Sequence, residues 1–510
     1  MNTFISYLKK WVSICPKNLA VSDEKVAFTY KELKCVVAGL QKAYLKIGIS
    51  KGDIVGVSHV NGCFLVANYL ALFGLGVLII PFPDEGEVKE YLKIFEEIIP
   101  KYIIYSKNTS IIYEGVRKKI KFKDNEDAVN YVVEGKEVNK KIQNIKINEN
   151  IEFKCTPLVM HIVNNELYDL EEGKQYWNIT SGSTGKIKIA NVSTSKIILN
   201  AIASNRCFPL TSEDNYCCLF STGMHPHELF ARPLVAGSGN VLLRSNSIAR
   251  LDSYIFEKKI TQMVAVPAIY KILLQIKLTK ANWINVKYLL SGGEVTNYFI
   301  RKEFFKATGK KIIPVWGSTE TSGLVFYVPE DLLLQEDNYI GIPLPEYKVK
   351  VDDRTNRLLI KGLACFDGYC NVDNNKYFTE DGYYMSDDIV ERNEFGVYQY
   401  HGRIDDIVKI KGKKVNLSLL QKEFGKLDGV VFVEVVCIEI EDEKVLGIFC
   451  VMREGKGLNC TEINKQINGN IPYQLIDLKT MPLLPSKKVD RKKLEIILKD
   501  ILTSKRIVKE

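Results

Sequence analysis

Between residues 255 and 323 the chain repeats one pattern: an apolar run, a turn marked by Gly or Pro, then an amphipathic stretch. ITQMVAVPAIYKILLQ reads as strand, turn and helix, and VKYLLSGGE reads as a strand that ends in a Gly-rich turn. TNYFIRKEFFKATGKK reads as a helix, with Thr296 as N-cap and Gly309 at its C-terminal end. IIPVWGSTE is a further strand running into a polar loop. Strands alternating with helices commit the segment to an α/β architecture. They also fix where a ligand belongs, because open α/β sheets bind at the carboxyl ends of parallel strands.

The first third alternates in the same way. TYKELKCVVAGLQKAYLKIG (29–48) is an amphipathic helix ending at Gly48, and DIVGVSHV (53–60) is a strand. The run FLVANYLALFGLGVLIIPF, Phe64 to Phe82, is broken by Asn68, Tyr69, two glycines and Pro81. A buried helix to about Phe73, a Gly turn and a strand fit it better than a membrane span. Residues 114–155, rich in Lys, Asn and Glu, read as surface strands and loops. After about residue 404 the texture changes. NLSLLQKEFGKL is a short helix, and VVFVEVVCIEI and VLGIFCVMR form a hairpin across EDEK. A chain of 510 residues is long for one simple domain. The boundary is expected in GRIDDIVKIKG (402–412), dividing a large domain 1–404 from a small α+β domain 405–510.

The formal charge is +9, from 70 Lys+Arg against 61 Asp+Glu, and the lysines are scattered. That argues against a nucleic-acid footprint and leaves only a weak attraction to acidic ligands or partners. The twelve cysteines make no CxxC pair and no zinc-like spacing. They read as reduced thiols of a cytoplasmic protein. The first twenty residues lack the long apolar stretch and small-residue cleavage site of a signal peptide.

WNITSGSTGKIKIA (177–190) packs glycines and hydroxyls into one short run. It is not a Walker loop, since Gly182 and Gly185 are separated by only two residues and Ile187 follows Lys186. What remains is Thr180, Ser181, Gly182, Ser183, Thr184 and Gly185: four hydroxyls and unhindered backbone N–H groups able to wrap a polyphosphate, with Lys188 as a point charge. A solvated Ser/Gly turn would look the same if the loop stood alone. VWGSTETSG (315–323) adds Trp316, which could stack on a purine, and Glu320, which could hold Mg²⁺. YYMSDDIVER (383–392) offers Asp388 for ribose hydroxyls, and HGRIDDIVKIKGKKV (401–415) offers Arg403 and a joint. LPSKKVDRKKL (484–494) supplies a lysine cluster.

In this order and spacing, the motifs resemble those of the adenylate-forming superfamily, which includes acyl- and aryl-CoA synthetases, peptide-synthetase adenylation domains and firefly luciferase. The pattern TSGSTGxPKG is similar to 180–189, YGxTE to 316–320, and the TGD aspartate to Asp388. GRxDDxxKxxGxxV is similar to 402–415, NGKVDRKxL to 486–494, and GDxVGI…LAxxxxGxxxxP to 52–81, so the likeness covers nearly the whole chain. The departures are Ile187 for Pro, Ile189 for Gly, Trp316 for Tyr, Asp387 for Gly, and Ser486-Lys487-Lys488 for Asn-Gly-Lys. None removes a required chemical group. Register on Val489-Asp490-Arg491 selects Lys488 rather than Lys487 as the catalytic lysine.

The resemblance implies a large N-terminal domain of mixed α/β subdomains with a smaller β-barrel-like part, and a small mobile α+β C-terminal domain. It implies ATP and Mg²⁺ as cofactors, and CoA or phosphopantetheine as acceptor. Lys488, Glu320 and Thr184 are then expected at the reaction, with Glu320 on the metal. The 180–185 loop and Lys188 would hold the β- and γ-phosphates, and Trp316 the adenine. Asp388 and Arg403 would contact the ribose, with Gly293, Glu294, Gly317, Ser318 and Thr319 also around the nucleotide. Asp405 matches the hinge, and Lys409 to Gly412 the loop turned toward the thiol.

The acid pocket is expected near 219–237, with His225, His227, Gly292 and Leu324 as candidates. Amino-acid-activating relatives carry an FDxS-type aspartate, where this chain reads Phe220-Ser221-Thr222-Gly223. An ammonium buried without its carboxylate is costly, so an aryl or acyl acid is favoured. An amino-acid-activating enzyme is the alternative, and an acidic pocket residue elsewhere would favour it. The acceptor is free CoA or a separate carrier protein. No nucleic acid and no membrane insertion are expected.

Overall fold

A computed structural model of the chain describes residues 3–58, 61–81, 100–106, 118–123, 132–133, 150–156, 166–170, 176–181, 187–220, 226–243, 248, 250–335, 339–441, 443–453, 463–464, 467, 471–483 and 489–507. Local chemistry sets the element ends. Helix Tyr30–Lys46 starts at Thr29, whose hydroxyl and the Glu32 carboxylate form a reciprocal capping box. Helix Cys63–Gly74 is buried at every residue, Gly76 turns the chain at φ +69°, and strand Leu78–Pro81 follows. Among the described residues no helix is long and apolar enough to cross a membrane.

The largest sheet has thirteen strands. Leu19–Ser22, Gly239–Val241, Asn215–Cys218, Gln262–Ala265, Tyr288–Ser291 and Ile312–Ser318 lie side by side and parallel. Beyond Ile312–Ser318 every pairing is antiparallel, through Gly323–Tyr327, Tyr339–Pro343, Tyr398–Arg403, Tyr384–Arg392 and Arg357–Gly362 to Tyr347–Val351. The part expected to be β-barrel-like is this antiparallel extension, which among the described residues ends in an open edge and forms no closed barrel.

An eight-stranded sheet carries the N-terminal third. Its strand Tyr176–Ser181 runs parallel to Leu78–Pro81 and antiparallel to Ile187–Val192. Phe4, Tyr69, Phe73, Tyr176 and Phe230 form an aromatic cluster with centroids 5.3–6.4 Å apart. Burial of each such ring stabilises the fold by roughly 1.5–3 kcal/mol.

Among the described residues, the core clusters of the C-terminal segment contain none before Val408, and those of the rest none after Tyr400. The hairpin pairs Val430–Ile440 with Glu443–Met452, and the short helix is Leu417–Phe424, capped by Asn416. One expectation needs correction. Helix Tyr298–Thr308 is capped by the Asn297 side chain, which accepts from the Ile300 N–H, and not by Thr296. The Thr296 hydroxyl is instead spent on Ser291 Oγ at 2.7 Å. Gly309 closes the helix in the left-handed region, as its position predicts.

Candidate active site

A cleft of about 1280 Å³ opens where the parallel strands of the large sheet end. Phe220 follows strand Asn215–Cys218, Val266 follows Gln262–Ala265, and Gly292, Gly293 and Glu294 follow Tyr288–Ser291; all line it. Strand Ile312–Ser318 brings Trp316, Gly317 and Ser318 to the same wall, and a tight turn then delivers Thr319 and Glu320. Gly317 is required there, since a Cβ would stand 2.2 Å from the Gly323 carbonyl oxygen. From the other sheet, Thr180 and Lys188 enter the cleft on paired strands, in register with one another.

Asp388 and Arg403 face each other across adjacent strands. The Asp388 carboxylate accepts a hydrogen bond from Trp316 Nε1 at 3.2 Å and lies 4.0 Å from Arg403 Nη1. Burial pushes its pKa up to about 6, against the pull of Arg403 and the Trp316 bond. The neighbouring Asp387 takes Arg357 at 3.0 Å and Arg403 at 3.2 Å. Trp316 also packs edge-on against Phe326, with centroids 5.7 Å apart. It is therefore braced from two sides while its exposed part lines the cleft.

Lys188 and Glu320 are both 7% exposed. Lys188 Nζ lies 5.0 Å from the centre of the Tyr369 ring and 4.6 Å from that of Tyr377. Glu320 Oε1 accepts from Tyr369 Oη at 2.7 Å. Among the described residues no group of three His, Cys, Asp or Glu could hold a metal ion by itself. One buried carboxylate still suits Mg²⁺, which takes one or two carboxylates and completes its shell with phosphate oxygens and water.

The remaining expected residues divide. Leu324 lines the cleft beside Gly323, Tyr216, Glu228 and Arg232. His227 is buried, but it points at the core, with Nδ1 3.4 Å from Tyr176 Oη, and is not among the residues that line the cleft. Asp405 is exposed at the cleft mouth, in the turn Ile404–Asp406. Lys409 and Gly412 belong to a two-stranded hairpin whose tip, Lys411-Gly412, has positive φ and does not line the cleft. Gly182, Ser183, Thr184, Gly185, His225 and Lys488 lie outside the described residues, as does the Ser181 side chain.

Sequence reasoning missed Glu228, Arg232, Tyr369, Tyr377 and Arg357. Glu228 had a readable signal: it is a carboxylate set inside the apolar run HELFARPLVAG. Burial pushes its pKa up to about 7, with Arg232 pulling the other way. Arg232 is fixed by bonds to Asn205 Oδ1 and the Phe208 carbonyl oxygen, both at 3.0 Å.

The family model described as AMP-binding enzyme matches residues 8–370. Surfactin synthase subunit 1 of Bacillus subtilis (strain 168) is 21% identical over 527 residues, covering 97% of this chain and 14% of that protein. The chain thus spans about a seventh of that relative's length. The ATP-bound structure of MatB from Rhodopseudomonas palustris superposes with a TM-score of 0.78 at 18% identity, covering 98% of this chain and all of that one. The benzoate CoA ligase of Burkholderia xenovorans LB400 superposes with a TM-score of 0.79 at 16% identity, covering 97% and 100%. At these identities the likeness to the solved structures is one of fold.

Proposed function

This chain belongs to the AMP-binding enzyme family, and from that premise we propose that it activates a carboxylic acid with ATP and passes the acyl group to a thiol. One observation carries the reading. Lys188 from one sheet, Asp388 and Arg403 from another, and Glu320 from the turn after strand Ile312–Ser318 line a single cleft at the strand ends. In the first half-reaction a carboxylate oxygen attacks the α-phosphorus, the bond to the β-phosphate oxygen breaks, and acyl-AMP and pyrophosphate result. The protein contributes position and charge. Lys188 and the 180–185 loop would take the β- and γ-phosphates. Asp388 would accept from the ribose hydroxyls, with Arg403 beside it and the Trp316 face toward the base. Glu320 would hold Mg²⁺, which supplies neutralisation of the charge on the triphosphate. Lys488 would bridge the acid carboxylate and the α-phosphate.

In the second half-reaction the thiol sulfur attacks the acyl carbon, AMP leaves and the thiol proton goes to solvent. The small domain from Asp405 onward would turn between the halves, removing Lys488 and bringing the Lys409–Gly412 loop toward the thiol. The acceptor is CoA or a phosphopantetheinyl carrier protein. The solved CoA-ligase neighbour supports the first.

An aryl or acyl acid is the favoured substrate, since the pocket wall holds Phe220, Val264, Leu290 and Leu324. A second reading has its own support. Glu228 is a half-buried carboxylate on the same wall, and burial pushes its pKa up to about 7 although the positive charge of Arg232 pulls it down. The ammonium of an amino acid would add a second positive charge beside it and favour the ionised form. ATP–pyrophosphate exchange against benzoates, fatty acids and amino acids, with Lys488→Ala as control, tests both. Exchange with amino acids alone, lost in Glu228→Gln, would move the reading to the alternative. Exchange with no acid by protein that binds ATP would remove the ligase reading.

A further inference from the structure

Lys188 and Glu320 are opposite charges buried in one cleft, and Coulomb attraction at low dielectric favours their collapse into an ion pair. Among the described residues they make no such pair. One side chain stands between them. The Tyr369 hydroxyl donates to Glu320 Oε1 at 2.7 Å, and the face of the same ring receives Lys188 Nζ at 5.0 Å. We propose that Tyr369 is a positioning residue that keeps the cation and the carboxylate apart, so that one is left for phosphate oxygens and the other for the metal. This rests on the ATP-dependent reading above.

The backbone holds Tyr369 at that point from both sides. Toward Lys188, Tyr369 bridges Ala190, the Cys370 N–H donates to the Ile189 carbonyl oxygen at 2.9 Å, and the Asn191 N–H donates to that of Gly368 at 2.9 Å. Toward the carboxylate, the Phe366 N–H donates to the Glu320 carbonyl oxygen at 2.7 Å. The ring is then clamped edge-on by Phe366 and Tyr377, with centroids 4.9 and 4.8 Å away. Tyr377 also covers the second side of the Lys188 ammonium at 4.6 Å. The segment 366–371 is thus the tie between the two sheets, and Tyr369 is its reporter to both charges.

The hydroxyl and the ring do separate jobs, so two variants separate them. Tyr369→Phe keeps the ring under Lys188 and removes the bond to Glu320. Tyr369→Leu removes both. ATP affinity is measured by calorimetry with Mg²⁺ and in EDTA, beside melting temperature. In Tyr369→Phe the expected result is a roughly tenfold to hundredfold loss of Mg²⁺-ATP affinity, from one hydrogen bond to a charged group, with EDTA affinity within twofold of the parent. In Tyr369→Leu both affinities fall. In a Glu320→Gln background the Tyr369→Phe change has no further effect on the Mg²⁺ dependence. A Tyr369→Phe protein with unaltered Mg²⁺-ATP affinity, or with equal losses in both conditions, overturns the positioning role and leaves the ligase reading intact. A parent protein that binds no ATP in either condition overturns both.

Discussion

Asp388→Asn should make this protein more stable while weakening its hold on nucleotide. The carboxylate is buried, and its pKa is raised from an ordinary 3.8 to about 6. The folded state therefore binds this proton more tightly than the unfolded chain does. The contribution to stability is most favourable below about pH 4, is lost progressively as pH rises toward 6, and is flat beyond. Two pH units at 1.36 kcal/mol each place the cost of the charged form at about 3 kcal/mol above pH 7. Asparagine resembles the neutral acid, can still accept from Trp316 Nε1, and leaves Arg403 its bond to Asp387. The variant's melting temperature should then exceed the parent's by roughly 3–6 °C at pH 7.5, taking ~1–2 °C per kcal/mol for a domain of this size. The gain should vanish near pH 4. Loss of bonds to a charged acceptor costs about 1.5–3 kcal/mol, so ATP affinity by calorimetry should drop roughly tenfold to a hundredfold. Affinity for 2′,3′-dideoxy-ATP, which lacks the hydroxyls, should not change. A variant whose advantage over the parent is no greater at pH 7.5 than at pH 4 refutes the burial argument, and an equal loss for both nucleotides refutes the ribose assignment.

Two further substitutions probe other parts of the cleft. In Gly323→Ala the new Cβ would meet Asn200 Oδ1 at 2.5 Å and Glu228 Oε1 at 2.6 Å, at a φ of +130°. Folding should be weakened by about 2 kcal/mol, and in pyrophosphate exchange the KM for the acid should rise more than that for ATP. Lys271 is brought down to about 8 by burial, although Glu294 and Glu434 pull it up, and its ammonium sits 3.5 Å over the Phe432 ring. The unfolded chain binds more protons than the folded one between pH 8 and about 10.5, so parent stability gains there as pH rises. Lys271→Met should be more stable by about 2 kcal/mol at pH 7.5, after ~1 kcal/mol for the lost cation–π contact. That advantage should shrink by pH 10, as read from melting curves at the two pH values.

What was legible in the sequence was local. The helix over 29–48, the Gly309 terminus, the buried run from Phe64 and the hairpin from Val430 each depend on residues a few positions apart. The N-cap at 296–297 was misjudged because two capping residues stand in succession, and only the tertiary bond from Thr296 to Ser291 decides between them. Lys188, Glu320, Asp388 and Arg403 were legible as motif residues, yet their partners were not. Tyr369 lies 49 residues from Glu320 in the chain, in a stretch with neither helix nor strand periodicity. Arg357 stands 30 residues from Asp387. Such pairings are set by which strands lie adjacent, and no single-window pattern reports that.

The substitution of Asp387 at a position where the resembled pattern has glycine takes its meaning from the same adjacency. Arg403 stands opposite Asp388 in the strand pairing, so without a competitor its guanidinium would be free to settle wholly on Asp388. A bidentate pair of that kind would neutralise the carboxylate and use up its lone pairs. Asp387 prevents this. It takes Arg403 Nη2 at 3.2 Å, and is itself anchored by Arg357 at 3.0 Å, so that Arg403 reaches Asp388 only at 4.0 Å. Among the described residues Asp388 is left buried with a single direct hydrogen bond from a side chain, from Trp316, and with a like charge next to it. Burial and that like charge raise its pKa, against the pull of Arg403 and of the Trp316 bond. Lys188 and Glu320 follow the same logic, each held by aromatic or hydroxyl contacts rather than by the other. On the proposed reading, a Lys188 and a Glu320 that do not pair with each other, and an Asp388 that holds Arg403 only at 4.0 Å, are the charges left for a bound nucleotide.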